Sequence, residues 1–562
     1  MKTSFKEWTK SGEPWVWLNA GAVAICMIMV IGLLSLIAVR GLGHFWPADV
    51  RHMTFEQDGQ KLELAGELVD SEEVPATQLR DNGIEVPEGQ EFMTRYLLKV
   101  GNRDVTGSDF LWMLKDHITD EKQPEMLFAA ERHEWGNLYG YLRSVKEGGN
   151  VVAAYDGFDK TDEYVAVWNE FQARLERVLD LHDEIKDIEK DDIGAINYKM
   201  ERLRLEERSL QLKGVTDPAA YKEVDDARAA LDADYAVLQE QLIKLYNEIN
   251  RDTITVEVAT GQTIELQIAK IVRAFLPNDM SVLQKSGHYV AKVWEFLSED
   301  PREANTEGGI FPAIFGTVMM VILMSVMVTP FGVIAAVYLR EYAKQGTITR
   351  VIRIAVNNLA GVPSIVYGVF GLGFFVYFVG GHIDDAFFEA AKPAPTFGTP
   401  GLMWASLTLA LLTVPVVIVA TEEGLARIPR AVREGSLALG ATKAETLWKV
   451  VLPMASPAMM TGVILAIARA AGEVAPLMLV GVVKLAPSLP LDGNYPFLHL
   501  DQKFMHLGFH IYDVGFQSPN VEAARPLVYA TALLLVIVIA LLNISAITIR
   551  NHLREKYKAL EM

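Results

Sequence analysis

Two groups of residues have types and spacings suited to chemical or mechanical work. In the first, Arg469 and Glu473 stand four residues apart, one helical turn, inside the apolar stretch MMTGVILAIARAAGEVAPLMLVG. An arginine about ten residues into a membrane span lies roughly 15 Å deep at 1.5 Å per residue. Insertion scales set the cost at about 2.5 to 3.5 kcal/mol, so its side chain is expected to face protein or a water-filled path. Ala468, Ala470, Ala471 and Gly472 leave room around it. A guanidinium fork matches an oxyanion in charge and in bidentate geometry, and Glu473 can neutralise that fork when no anion is present. The competing reading is a buried ion pair that only holds structure.

The second group lies in the polar stretch 421–456, which reads Arg433-Glu434-Gly435-Ser436, then Gly440, then Val450-Val451-Leu452-Pro453. This stretch is too polar to enter a bilayer and long enough for short helices lying on its face. Small residues at Gly435 and Ser436 let a helix seat in a partner's cleft, Gly440 lets the chain turn, and Leu452-Pro453 is expected to end the element before the next span.

Other chemistry is poorly supported. No G-x-x-x-x-G-K-[ST] occurs, so the chain builds no such phosphate-cradling loop. Gly371-Leu372-Gly373 lies inside an apolar run and lacks the strand-to-helix setting of a dinucleotide site. His506 and His510 have i,i+4 ligand spacing, but no metal site is expected from that pair. No nucleophile, base and orienting group come together, and the chain is not expected to be an enzyme.

The elements that must position these residues are membrane spans. Of the 562 residues 51% are hydrophobic and 22% charged, and the apolar residues are gathered into six long runs, the pattern of a polytopic helical membrane protein. The runs are Trp15 to Val39, Ile310 to Leu339, Leu359 to Val379, Leu402 to Ala420, Met459 to Val483 and Leu527 to Ile549. The first follows Lys2, Lys6 and Lys10 and is too long for a cleaved signal, so it reads as an anchor, with Trp15 and Trp17 at the inner interface and Trp46 near the outer one. Lysine and arginine number 16 in segments 1–14, 339–358, 421–456 and 550–562, against 4 in 380–401 and 484–525. That bias places both termini in the cytosol.

Residues 41–308 then lie outside the cytoplasm. They hold 54 of the 71 acidic and 30 of the 52 basic side chains, so the net charge of −19 divides into −24 there and +5 elsewhere. Neither part has the basic face that nucleic-acid binding requires. Cys26 is the one cysteine, which rules out an intrachain disulfide or cysteine-held metal. Hairpin signals surround Asp58-Gly59 and Thr260-Gly261, and Phe92 to Val100 is a strand candidate. Between them, residues 162–250 turn helical. Apolar positions follow 3/4 spacing from Trp168, are disturbed near Gly194, turn at 214–218 and return in heptads from Tyr221 to Ile249, with Arg228 the one break. We expect an α+β head carrying a helical hairpin or short coiled coil. That hairpin reads either as a docking arm or as a solvated stalk.

Glu434-x5-Gly440-x9-Val450-x-Leu452-Pro453 resembles the EAA loop of ATP-binding-cassette (ABC) importer permeases, E-A-A-x3-G-x9-I-x-L-P, with Gly435-Ser436 replacing Ala-Ala and Val450 replacing Ile. Residues 306–317 (TEGGIFPAIFGT), 359–368 (LAGVPSIVYG) and 465–477 (LAIARAAGEVAPL) are similar to the phosphate-specific permeases of PstA type. The likeness covers 290–562 and the first span; most of 41–285 is an insertion that compact members lack. The resemblance implies a type I permease fold of six helices importing inorganic phosphate. It implies a second permease of PstC type, two cytosolic ATPases of PstB type docked on Glu434 to Pro453, and a receptor of PstS type. ATP and magnesium belong to the ATPase, so no cofactor is expected in this chain. Cargo such as sulfate or molybdate keeps the same machine, and a membrane sensor or scaffold working through its outer helices is the reading from a different class.

Overall fold

The computed structural model describes residues 11–57, 60–81, 89–302, 305–518 and 521–557. Among these, six helices are long and apolar enough to cross a membrane. They are α1 (Glu13–Gly43), α6 (Phe311–Tyr342), α8 (Ser364–Phe387), α9 (Leu402–Arg427), α11 (Lys443–Ala470) and, within α13 (Val521–Tyr557), Ala524–Lys556, with the shorter α7 (Thr347–Leu359) and α12 (Leu507–Tyr512) between them. Each uninterrupted apolar run satisfies its backbone internally as helix, the form open to a chain in hydrocarbon.

Helix α9 is the hub: Ala405, Leu409, Leu412 and Val417 share a core with Met320 and Met324 of α6 and Val463 and Ala466 of α11, while Trp404 stacks on Phe375 of α8. Helix α13 packs on α11, and α1 leans on α13 from outside, where only its Gly41 is buried. Several bounds differ from the sequence expectation: the third, fourth and sixth helices run on to Phe387, Arg427 and Lys556, and two starts move. The third helix starts at Ser364 instead of Leu359, because Pro363 biases the residue before it away from helix and supplies no N–H of its own. The fifth starts far earlier, at Lys443, and ends at Ala470 instead of running to Val483.

Between α1 and α6 stands a head of two antiparallel sheets. Strands β1 (Val50–Gln57), β2 (Gln60–Pro75), β3 (Phe92–Lys99), β4 (Phe110–Leu114) and β5 (Ile118–Lys122) pair in the order β4-β3-β2-β1-β5. The register Gln57↔Gln60 makes β1 and β2 a hairpin, whose turn residues Asp58 and Gly59 lie outside the described residues. The second sheet joins β6 (Leu127–Arg132), β7 (Leu138–Glu147), β8 (Asn150–Ala154), β9 (Asp252–Glu257), β10 (Thr263–Gln267) and β11 (Ile271–Phe275) in the order β10-β9-β7-β6-β11, with β8 on β7. Gly261 takes φ +79° in the β9–β10 turn, a conformation glycine adopts without steric cost.

Three helices extend from the second sheet: α2 (Asp162–Asp187), α3 (Ile193–Leu212) and α4 (Pro218–Ile249). Tyr164, Phe171, Leu175 and Val178 of α2 and Leu242, Leu245 and Ile249 of α4 are buried with the sheet residues Phe128 and Leu142, so the root of this hairpin belongs to the head's core. Farther out Tyr235 is exposed, while Val224, nearer the tip, is buried again. A wide π turn at Ile188–Asp192 joins α2 to α3 and accounts for the disturbed spacing near Gly194. Arg228, the break in the heptads, pairs with Glu207 across the hairpin. Helix α3 lies against the 389–391 turn, and its Tyr198 meets the His499 ring edge-on at 5.8 Å, so the hairpin reaches the loops that follow α8 and α11.

Candidate functional site

Arg469 lies in the last turn of α11, and Glu473 lies beyond the helix end. The two are therefore not on one face of a continuous helix. After Ala470 the ladder tightens to Gly472 N–H→Arg469 O and Glu473 N–H→Ala470 O, both 3.2 Å, and a single helical turn resumes only at Leu477–Val480. Gly472 favours the break and Pro476 adds to it by lacking an N–H. The sequence carried both residues; the apolar composition on either side concealed their effect.

Across this break Arg469 Nε lies 3.5 Å from Glu473 Oε1, with the two side chains 33% and 22% exposed. The pair is loose, and Glu473 is the guanidinium's one ion-pair partner among the described residues. The break itself is packed: Ala470, Ala471 and Leu477 are fully buried. Helix α8 presses on it through Gly368, where a Cβ would sit 2.7 Å from Pro476 Cα. The neighbouring Tyr367 lies within electrostatic reach of Arg469 while its hydroxyl donates to Leu359 O at 2.6 Å. Irregular backbone at membrane depth persists where protein buries it or where it lines a watery cavity. A half-exposed guanidinium at such a break can receive an anion without forcing apart a tight ion pair.

The polar segment between α9 and α11 is also helical, and firmer than a loop. Helix α10 (Arg430–Ala438) carries Glu434 and Gly435 on exposed positions, while Ser436 Oγ pairs with Thr446 Oγ1 at 2.9 Å. Gly440 takes φ +90° with nothing near its missing Cβ, so the backbone alone requires glycine there. Thr442 and Glu445 form a capping box that starts α11, a T-x-x-E signal readable in the sequence. The chain passes through Val450, Leu452 and Pro453 as continuous helix, so Leu452-Pro453 does not end the element as expected. A π turn at Leu447–Val451 accommodates the proline's missing N–H.

Arg433 ties α10 to the membrane body: it donates to Ile428 O at 2.7 Å and Leu425 O at 2.8 Å and pairs with Glu341 of α6 at 2.9 Å. Lys443 stands 4.5 Å from the Tyr342 ring. Leu437, Leu439 and Trp448 remain exposed, at 47%, 91% and 73%, with no cover among the described residues. Sequence reasoning missed this exposure and the Glu341 tether, because both depend on residues distant in the chain.

The two histidines have separate structural duties. His506 Nδ1 accepts from Gly508 N–H at 3.1 Å, and His510 Nδ1 faces Thr531 Oγ1 at 3.5 Å. Both rings are buried, which pushes each pKa down to about 4. Among the described residues no three His, Cys, Asp or Glu side chains gather as a metal site. Gly371 serves packing, with Thr408 Oγ1 2.3 Å from where its Cβ would be.

Residues 328–559 match the family described as binding-protein-dependent transport system inner membrane component. The phosphate transport system permease protein PstA 1 of Mycobacterium tuberculosis (strain CDC 1551 / Oshkosh) is 36% identical over 247 residues, covering 43% of this chain and 71% of that protein. A probable PstA of Methanocaldococcus jannaschii is 30% identical over 257 residues, covering 45% and 79%, and the PstA of Yersinia pestis is 32% identical over 251 residues, covering 45% and 75%. A chain of the inward-facing MetNI methionine ABC transporter aligns at 20% identity and TM-score 0.32 over 43% of this chain and 94% of its own, a likeness too low to compare geometry. With six membrane helices and relatives matched over more than two thirds of their length, the chain belongs to the PstA-type permeases, the inner-membrane components of binding-protein-dependent ABC importers.

Proposed function

We infer that this chain is the membrane-spanning permease subunit of an ATP-driven importer of inorganic phosphate. The observation that carries the reading is the loosely paired Arg469 guanidinium at the break after α11, in a chain whose relatives are phosphate permeases. Arg469 takes the oxyanion's charge at the narrow part of the path, and Glu473 competes for the same guanidinium once the anion has left. This exchange needs no covalent step.

The segment from Glu434 to Pro453 receives a separate cytosolic ATPase of PstB type. Its exposed Glu434, Gly435, Leu439 and Trp448 supply the contact, and Arg433–Glu341 passes the movement to α6. ATP and magnesium stay with that partner, and this chain performs no hydrolysis. A second permease of PstC type completes the path, and a PstS-type receptor delivers phosphate on the side of the head. Both termini are cytosolic and residues 41–308 extracytoplasmic, following the lysine and arginine bias.

The test is uptake of labelled phosphate by the reconstituted complex in competition with sulfate and molybdate. The reading expects excess unlabelled phosphate alone to abolish the signal. Equal competition by either other oxyanion would reassign the cargo.

A further inference from the structure

Helix α5 (Val282–Ser298) runs between the head and the start of α6, and its three faces have different neighbours. One face meets the head. Lys285 pairs with Asp49, His288 packs on Phe275 with ring centroids 4.3 Å apart, Lys292 pairs with Glu131 at 2.7 Å, and Glu295 pairs with Arg273 at 3.0 Å and Arg302 at 2.6 Å. A second face meets the ends of the spanning helices: Phe45, just past α1, lies 6.4 Å from Tyr289 and 5.0 Å from Phe296, and Ile310 N–H, just before α6, donates to Phe296 O.

The third face is bare. Leu283, Val290 and Trp294 are 83%, 67% and 69% exposed, and nothing lies within 4 Å of where a Gly287 Cβ would be. At about 100° per residue these four positions fall within roughly 60° of arc, centred about 150° from the residues that touch the head. Trp46, 44% exposed, stands beside Tyr289 at the level where α1 leaves its span, and α1 itself presents an exposed apolar surface. The bare face of α5 thus points away from the head, and the adjoining Tyr289 brings Trp46 and the exposed apolar end of α1 beside the helix. An apolar stripe that includes a tryptophan, opposite a charged face, is the pattern of a helix lying in a membrane interface.

We propose that α5 lies in the headgroup region of the leaflet nearest the head, with Leu283, Val290 and Trp294 seated in lipid. The helix is then a footing. Lipid holds its underside while Lys285, Lys292 and Glu295 hold the head above it, which sets the height of the head and the angle at which the chain enters α6. The inference needs only that α1 and α6 span the membrane, and it stands or falls apart from the cargo.

The experiment uses the full chain with Cys26→Ser, assembled with its partner subunits in phosphatidylethanolamine–phosphatidylglycerol vesicles. Spin labels are placed at V290C or W294C, with V30C in α1 as the lipid reference and V237C in α4 as the water reference. Collision with oxygen relative to a water-soluble nickel chelate is expected to be several-fold higher at 290 and 294 than at 237, and below that at 30. A ratio equal to that at 237 would show a water-facing helix and overturn the proposal. Exclusion of both reagents would overturn it too, by showing that another protein covers the face.

Discussion

At the scale of single residues, the central contact is weak by design of its surroundings. Arg469 sits where α11 stops, 3.5 Å from a carboxylate that the helix no longer holds in register. A tight bidentate pair in the same place would resist exchange with an anion. Burial of titratable groups elsewhere has its own consequence. His510 has a folded pKa pushed down from 6.5 to about 4, chiefly by burial and further by Lys484, against the opposing effect of Asp513. A group lowered in this way contributes full stability above pH 6.5 and loses it as pH falls from there toward 4. We expect the melting temperature of the purified protein to drop over that window, and His510→Gln to flatten the drop. A pH profile unchanged by the substitution would show that this ring takes up a proton in the folded protein as readily as in the unfolded chain. The i,i+4 pair His506/His510 was visible in the sequence, but only burial shows that the two rings are separately engaged structural groups.

At the scale of elements, the turn at Gly440 bears on the proposed coupling. Gly440 holds φ +90°, and Gly440→Val puts a β-branched side chain in a left-handed conformation costing roughly 1 to 2 kcal/mol. Because the space around it is open, the expected damage is local: α10 reorients, the ATPase is lost on co-purification, and thermal stability changes by no more than that amount. Retention of the ATPase with normal uptake would show that this turn is not part of the coupling. The hairpin invites a second experiment. Deleting residues 160–250 entirely would strip Tyr164, Phe171 and Leu245 from the head's core, so the informative change removes only 201–234 and closes the helices with a short turn. Phosphate uptake is expected to survive; its loss in a folded, assembled complex would favour the sensor or scaffold reading.

Elements also show where sequence reasoning reaches its limit. The six apolar runs, the β1–β2 and β9–β10 hairpins and the spaced Glu434 to Pro453 pattern were legible because each depends on local composition or spacing. The end of α11 was not, because Gly472 and Pro476 interrupt a run whose hydrophobicity continues to Val483. Strands β6 and β7 escaped for another reason: β7 pairs with the distant β9, as in Tyr141↔Glu257, and both strands are buried along most of their length, so no alternation marks them.

At the scale of the whole molecule, the joint between head and membrane body is ionic. Glu295 is 3% exposed and meets Arg273, Arg302 and Lys292, while Lys292 also meets Glu131. Burial alone would raise the pKa of Glu131, but Lys292, Arg273 and Arg302 outweigh it and hold its carboxyl below the usual carboxylate range. Removing one member of such a buried set leaves uncompensated charge, a loss of about 3 to 5 kcal/mol. Glu295→Ala is therefore expected to loosen the head before the membrane helices, read as faster limited proteolysis near residues 298–310 with the spanning core intact. Proteolysis at the wild-type rate would show that apolar contacts such as Phe45 on Phe296 carry the joint alone.

The most direct test of the account is ATP-driven uptake of labelled phosphate into vesicles by the assembled transporter carrying Arg469→Gln. Loss of a charge-assisted contact worth about 1.5 to 3 kcal/mol predicts a fall in kcat/KM of at least about tenfold, with subunit assembly unchanged. Uptake at the wild-type rate in a correctly assembled complex would contradict the claim that Arg469 meets the anion on its way through.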